Sequence, residues 1–134
     1  MFKPDSKILV VDDLQAVRTL LKDILNQLGF SQLYEAADGQ EALDILKKAS
    51  QEKQSFDLII CDWNMPNMNG LELLQARNDD PLLQNIPFLM VTIESELEYV
   101  LKAISLGVSD YVVKPFSERT VAEKLKSIHS RLNS

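Results

Sequence analysis

Asp12 and Asp13 close the apolar run Ile8-Leu9-Val10-Val11, and Asp62 closes Leu58-Ile59-Ile60-Cys61. Thr92 ends Phe88-Leu89-Met90-Val91, while Lys114, followed by Pro115, ends Tyr111-Val112-Val113. Carboxylates brought together repel and raise one another's pKa unless a cation neutralises them. A hard cation such as Mg2+ does so with oxygen ligands in octahedral geometry, and keeps waters for a substrate phosphate. Asp13, Asp62 and a backbone carbonyl of the loop after Asp62 are candidate ligands, with Asp12 acting directly or through water. Lys114 offers a point charge to a phosphoryl oxygen, and Thr92 offers a hydrogen bond to another. Asp62 is the candidate nucleophile, because a carboxylate can form an acyl phosphate. Stabilising charge on the transferring group is most of what phosphoryl transfer requires.

These groups meet only if the runs that precede them are parallel strands, so that all emerge at the carboxyl edge of one sheet, where open α/β sheets bind ligands. The sequence alternates accordingly. Short continuous Ile/Val/Leu runs at 8–11, 33–36 (the weakest), 58–61, 88–91 and 111–113 suit strands buried on both faces. Between them lie helical patterns: Leu14, Val17, Leu21, Leu25 and Leu28 with Gly29 as a stop; Ala42, Ile45, Leu46 and Ala49; Leu71 and Leu74, extending to Arg77; Leu97, Val100, Leu101 and Ile104 with Gly107 as a stop; and Val121, Leu125, Ile128 and Leu132. The pairs Asp38…Glu41, Asn69…Glu72 and Ser95…Glu98 predict reciprocal helix caps, and Ser117 predicts a cap for the last helix. The polar segment 50–56 reads as a loop or frayed helix end. The order is (βα)5, and right-handed crossovers place helices on both sides of a parallel sheet.

Length and composition bound the function. The 134 residues predict one domain spanning 1–134, with no output domain after the final helix. At 46% hydrophobic and 25% charged, the chain is ordinary for a globular protein. Twenty acidic against fourteen basic residues, a net charge of -6, argue against sequence-independent nucleic-acid binding, which needs a basic face. No apolar run approaches the ~20 residues of a membrane span, and the start, Met1-Phe2-Lys3-Pro4-Asp5, has no apolar leader. The lone Cys61, within an apolar run, reads as a buried inert thiol in a reducing compartment, and the protein is expected to be cytoplasmic.

The stretches Val10-Val11-Asp12-Asp13, Cys61-Asp62-Trp63-Asn64-Met65-Pro66-Asn67-Met68-Asn69-Gly70, Met90-Val91-Thr92 and Asp110-Tyr111-Val112-Val113-Lys114-Pro115-Phe116 resemble the receiver domain of response regulators. The likeness is closest to the single-domain receivers of chemotaxis and covers about residues 7–132. It implies a flavodoxin-like sheet in the order 2-1-3-4-5 and a two-component phosphoacceptor that signals by phosphorylation-dependent binding. Asp62 would be the aspartyl-phosphate site, accepting its phosphoryl group from a histidine kinase. Asp13, Asp62 and the carbonyl of Asn64 would hold Mg2+, with Asp12 assisting. Thr92 and Tyr111 would form the switch pair, and Lys114 would contact the phosphoryl group and precede a cis proline. Gly70 would permit a tight turn before the third helix. Asn64 and Glu94 would flank the pocket where a phosphatase could reach it. The face made by helix four, strand five and helix five would bind the downstream partner, a flagellar motor switch component in the chemotaxis case.

Some residues depart from that pattern. Ile93 stands where receivers usually carry a small residue, so its branched side chain is expected to narrow access to Asp62 and slow both phosphorylation and hydrolysis. The fourth helix starts Ser95-Glu96-Leu97-Glu98, acidic where chemotaxis receivers are basic. A non-chemotaxis phosphorelay and a weakly phosphorylated scaffold are therefore alternative roles. An Asp-nucleophile phosphatase of the haloacid-dehalogenase type needs a second acid two residues after its nucleophile, and Asn64 stands there. No Gly-rich loop follows the first run to support a nucleotide binder. Among bland alternatives, Asp13 could simply cap the first helix, Tyr111 could be a passive aromatic, and Trp63, Met65 and Met68 read as packing residues. His129 reads as a solvated residue at the negative end of the last helix.

Overall fold

The computed structural model describes residues 2–132. Five strands, β1 (Lys7–Val11), β2 (Gln32–Ala36), β3 (Leu58–Cys61), β4 (Phe88–Thr92) and β5 (Asp110–Val113), alternate with five helices, α1 (Gln15–Gln27), α2 (Gly39–Gln51), α3 (Gly70–Asn78), α4 (Leu97–Ser105) and α5 (Glu118–Leu132). All neighbouring strands are parallel, in the order β2-β1-β3-β4-β5, as expected.

The strand sequences explain the layering. Successive side chains on a strand point to opposite faces. In β1, Leu9 and Val11 face one core while Ile8 and Val10 face the other. β3 divides the same way, with Ile59 and Cys61 opposite Leu58 and Ile60. The first core receives Leu46 from α2, Leu73 and Leu74 from α3, and Ala103 from α4. The second receives Leu21 and Leu25 from α1, and Val121, Leu125 and Ile128 from α5. Every residue of β3 and β4 is buried, whereas β2, the weakest run, is an exposed edge with only Ala36 buried.

Most termination signals act as expected. α1 and α4 are followed by Gly29 and Gly107 at φ +100° and +88°, a left-handed backbone that glycine adopts without penalty. Asn69 and Glu72 form a complete capping box. Asp38 accepts from the Glu41 amide, but the Glu41 carboxylate turns to Ala37 N rather than to the cap residue. The Ser117 hydroxyl accepts from Thr120 N at the start of α5. Ser95 does not cap α4: the helix starts one residue later than the pairing required, with Glu96 at the cap position and no side-chain bond. Asp13 does not cap α1 either, since Leu14 holds that position without a side-chain bond. Segment 50–56 is partly helical, because α2 continues through Gln51.

Three further differences concern which way side chains face. The apolar stripe of α4 points outward: Leu97, Leu101 and Ile104 are 69%, 54% and 56% exposed. α4 rests on the sheet through Ala103, with Tyr99 and Leu106 partly buried beside it. Arg77, at the end of the α3 pattern, is buried and donates to the carbonyls of Gln84, Ile86 and Gly107. Asn78 adds a 2.6 Å bond to the carbonyl of Leu106, so the end of α3 ties down the α4–β5 turn. Charged donors are worth roughly 1.5–3 kcal/mol per bond when the partner would otherwise be buried unsatisfied. His129 is half-buried against the ring of Phe2, 5.3 Å between centroids, rather than solvated.

Candidate functional site

Strand register determines which groups meet. β1 pairs with β3 so that Val11 stands beside Cys61, which makes the next residues, Asp12 and Asp62, neighbours. Thr92 stands beside Val113, so Lys114 leaves β5 just beyond the end of β4. Its Nζ extends past Thr92 and donates to Asp12 Oδ2 at 2.9 Å and Asp62 Oδ2 at 3.2 Å. The peptide bond between Lys114 and Pro115 is cis.

Each carboxylate is held by a second donor. Asp62 Oδ1 accepts from Trp63 N at 2.7 Å, and Asp12 Oδ1 accepts from Leu14 N at 2.9 Å. Asp12 and Asp62 are 1% and 7% exposed, whereas Asp13 is exposed. One oxygen from each of Asp12, Asp13 and Asp62 lies within 4.8 Å of the others. The turn that follows Asp62 is tight: a Cβ on Gly70 would run into the Asp62 carbonyl.

The electrostatics are unbalanced. Burial pushes the Asp62 carboxyl above its ordinary value, and the Asp12 charge adds to the rise, against the opposing pull of Lys114. Lys114 shifts upward despite burial, because the Asp12 hydrogen bond and the two carboxylate charges favour its ammonium. Both partners of one ion pair thus rise. A single ammonium serves two buried carboxylates, so the lysine has an excess of negative charge and Asp62 a deficit of positive charge. All three carboxylates offer hard oxygen donors, and the deficit is the condition that a divalent cation relieves. The donor set fits such an ion.

A second group of bonds closes one side of the pocket, centred on Glu94. Its side chain accepts from Asn64 Nδ2 at 3.0 Å, its amide donates to Thr92 Oγ1 at 3.3 Å, and its carbonyl accepts from the Tyr111 hydroxyl at 2.6 Å. Thr92 is fully buried and Tyr111 half-buried. Burial, with the charges of Glu94 and Asp62, pushes the Tyr111 phenol up to about 12, so it remains a donor across the physiological range. Ile93, between Thr92 and Glu94 in the chain, is 67% exposed.

The candidate site residues Asp12, Asp13, Asp62, Asn64, Thr92, Ile93, Glu94 and Lys114 lie at this one sheet edge or in the loops that leave it, and Tyr111 reaches it through its hydroxyl; His129 lies in α5 against Phe2. The packing expectations also stand. Trp63 is buried edge-on against Tyr99 at 5.2 Å, Met65 and Met68 pack on the adjoining core, and the Cys61 thiol is buried and pushed well up by burial. Sequence reasoning missed Arg18, whose Nη1 donates to the Asp12 carbonyl at 2.6 Å. Its one signal is a cation near the first turn of α1, where the helix dipole disfavours positive charge.

The arrangement has known counterparts. A family model described as the response regulator receiver domain matches residues 8–126. This chain belongs to the response regulator receiver family. It is 44% identical over 126 residues to the chemotaxis protein CheY-3 of Vibrio cholerae, covering 94% of this chain and 93% of that protein. It is 42% identical over 127 residues to the chemotaxis protein CheY of Pseudomonas aeruginosa, covering 95% and 98%. Among solved structures, the chemotaxis response regulator CheY4 of Vibrio cholerae superposes with a TM-score of 0.82 at 34% identity, covering 92% of this chain and 98% of that one. A CheY-like receiver domain protein from Methanospirillum hungatei gives 0.81 at 29% identity, covering 96% and 98%.

The raised Asp62 predicts a pH signature. Below the ordinary value of 3.8 the group is protonated both folded and unfolded, and contributes nothing. As pH rises above that value, the unfolded chain ionises first, so stability falls until the folded carboxyl has also ionised. Metal-free Asp62→Asn should therefore be more stable than wild type at pH 7, with the difference shrinking toward pH 3.5. Urea melts across that range check the prediction; a variant less stable at pH 7 would contradict it.

Proposed function

We propose that the protein is a phosphoacceptor switch, phosphorylated on Asp62 by a histidine kinase. The observation that carries this reading is the Asp62 carboxylate at the end of β3, pinned by Trp63 N and Lys114 Nζ with Asp12 and Asp13 alongside. In the transfer, an Asp62 oxygen bonds to phosphorus as the phosphorus–nitrogen bond of the phosphohistidine breaks, and the imidazole leaves with that electron pair. Lys114 offsets the charge of the phosphoryl oxygens, and Thr92 donates its hydroxyl to one of them. Asp12, Asp13, Asp62 and the carbonyl of Asn64 are the proposed holders of Mg2+, which when bound would neutralise negative charge around the phosphoryl group. The same residues would serve autodephosphorylation, so the protein assists reactions on itself without being an enzyme toward other substrates. A phosphatase would approach at the bonded Asn64–Glu94 pair that flanks Asp62.

Labelling with radioactive acetyl phosphate or a phosphorylated kinase, with and without Mg2+, tests the assignment. Strong Mg2+-dependent label is expected on wild type and none on Asp62→Asn; full labelling of that variant would sink it. Ile93 is proposed to crowd the entrance to Asp62. In the same assay Ile93→Ala should label and lose label severalfold faster, and unchanged rates would remove Ile93 from the account.

Thr92 and Tyr111 are the proposed switch pair, because both bond to the backbone of Glu94. A hydroxyl drawn toward a phosphoryl group would free the Glu94 amide, shifting a two-state equilibrium of the loop before α4. The proposed output face joins Leu97, Leu101 and Ile104 of α4 to Val113 of β5, which is 40% exposed. Glu94, Glu96 and Glu98 edge this apolar surface, so a basic segment would complement it. Chemotaxis is the proposed pathway, supported by the CheY relatives, with the flagellar switch as partner; the acidic start of α4 favours keeping a phosphorelay as second reading. Capture from lysate with and without beryllofluoride distinguishes them. A flagellar switch component retained only after activation, and released by salt, is the expected result; a histidine phosphotransfer protein in its place would favour the phosphorelay.

A further inference from the structure

We propose that Arg18 is a positioning residue for the metal site, orienting Asp13 through its grip on the Asp12 carbonyl. The inference rests on the reading that Asp12, Asp13 and Asp62 hold a divalent cation.

Asp12 is fixed at every polar atom. Its amide donates to the Ala36 carbonyl at 3.2 Å, Oδ1 accepts from Leu14 N, Oδ2 accepts from Lys114, and its carbonyl accepts from Arg18 Nη1. Asp13 differs in being exposed, yet it contributes one oxygen to the cluster. The plane of the peptide joining the two residues determines where the Asp13 Cα and side chain leave the backbone. Arg18 holds that plane. Its guanidinium is itself held, since Nε donates to Glu35 Oε1 at 2.7 Å and the side chain is only 13% exposed. Lys22 bonds the other Glu35 oxygen at 2.7 Å. An arginine fork can bond a carboxylate and a carbonyl at once in fixed geometry, which a lysine ammonium at the end of a flexible stem does not reproduce.

The sign of the effect separates positioning from charge. Removing a cation near the pocket would, by relief of Coulomb repulsion alone, tighten Mg2+ binding, whereas loss of orientation weakens it. Partners that orient metal ligands typically account for about 10- to 100-fold in affinity. Mg2+ titration of the whole protein, followed by Trp63 fluorescence and by the Mg2+-dependent rise in unfolding midpoint, measures this directly. Trp63 follows Asp62 directly and its backbone amide bonds that carboxylate, which couples the residue to the cluster. Arg18→Ala and Arg18→Lys should each weaken Mg2+ about tenfold. Lys22→Ala removes the same charge from the same Glu35 network and should bind as tightly as wild type, or slightly more so.

A merely structural Arg18 would lower the metal-free midpoint but leave Mg2+ affinity unchanged, and that result overturns the proposal. So does equal weakening in Lys22→Ala. Arg18→Lys keeps the test open should Arg18→Ala fail to fold. Wild-type protein that responds to Mg2+ in neither measurement would refute the metal reading itself, and this inference with it.

Discussion

One ammonium shared between two buried carboxylates is the interaction on which this protein's architecture turns. Lys114 donates to both Asp12 and Asp62, and neither carboxylate has another cationic donor among the described residues. Isolated buried charge is expensive and is retained where partners and hydrogen bonds satisfy it. Here satisfaction stops short of neutrality: backbone amides take the remaining oxygens, but net negative charge persists. The fold thereby maintains a carboxylate at Asp62 that is fully oriented yet electrostatically hungry, the condition that favours a cation or an electrophilic phosphorus.

That constraint reaches into the sheet. Asp12 and Asp62 adjoin because Val11 and Cys61 are paired, and Lys114 reaches them only by passing the end of β4. Two strand spacings, roughly 10 Å, separate β5 from β3, a span that both side chains must close. A slip of one residue in either pairing would turn every side chain to the opposite face. The alternating cores forbid it: Leu9 and Val11 would exchange places with Ile8 and Val10, and a buried lysine would face apolar neighbours. Hydrophobic burial, worth roughly 25 cal/mol per Å², therefore enforces the geometry of the polar site without touching it.

The strand ends were legible in the sequence because they combine two strong signals, a continuous apolar run and a terminal charge. The sheet order came through family resemblance rather than periodicity. The Asn69–Glu72 box was readable because both partners are side chains at fixed spacing. Arg18 and Arg77 were not, because their partners are backbone carbonyls of Asp12, Gln84, Ile86 and Gly107, and a carbonyl is the same at every residue. The face of α4 escaped for another reason. Periodicity locates an apolar stripe but does not say whether the stripe meets the sheet or solvent, and α4 touches the core through small Ala103 instead. The Ser95–Glu98 pair had the spacing of a cap but lost to a start at Leu97, a boundary error of the size that local signals commonly leave.

The pocket is built from two kinds of wall. On the β1 side, Asp12 is held at amide, carbonyl and both carboxylate oxygens. On the β4 side, Glu94 is held by three single bonds to Asn64, Thr92 and Tyr111, the Thr92 bond being long at 3.3 Å. Under the proposed function, a perturbation at Asp62 would be expressed where restraint is weakest, so the loop from Ile93 to Glu96 would yield while the acidic wall stayed in place. α4 begins at the next residue and carries its apolar stripe in solvent, with its far end tied by Arg77 and Asn78. Displacement of the loop would thus move the start of α4 about a fixed end, converting a change at one carboxylate into a new arrangement of the exposed apolar stripe. The asymmetry of restraint, more than any single residue, gives the proposed signal its direction.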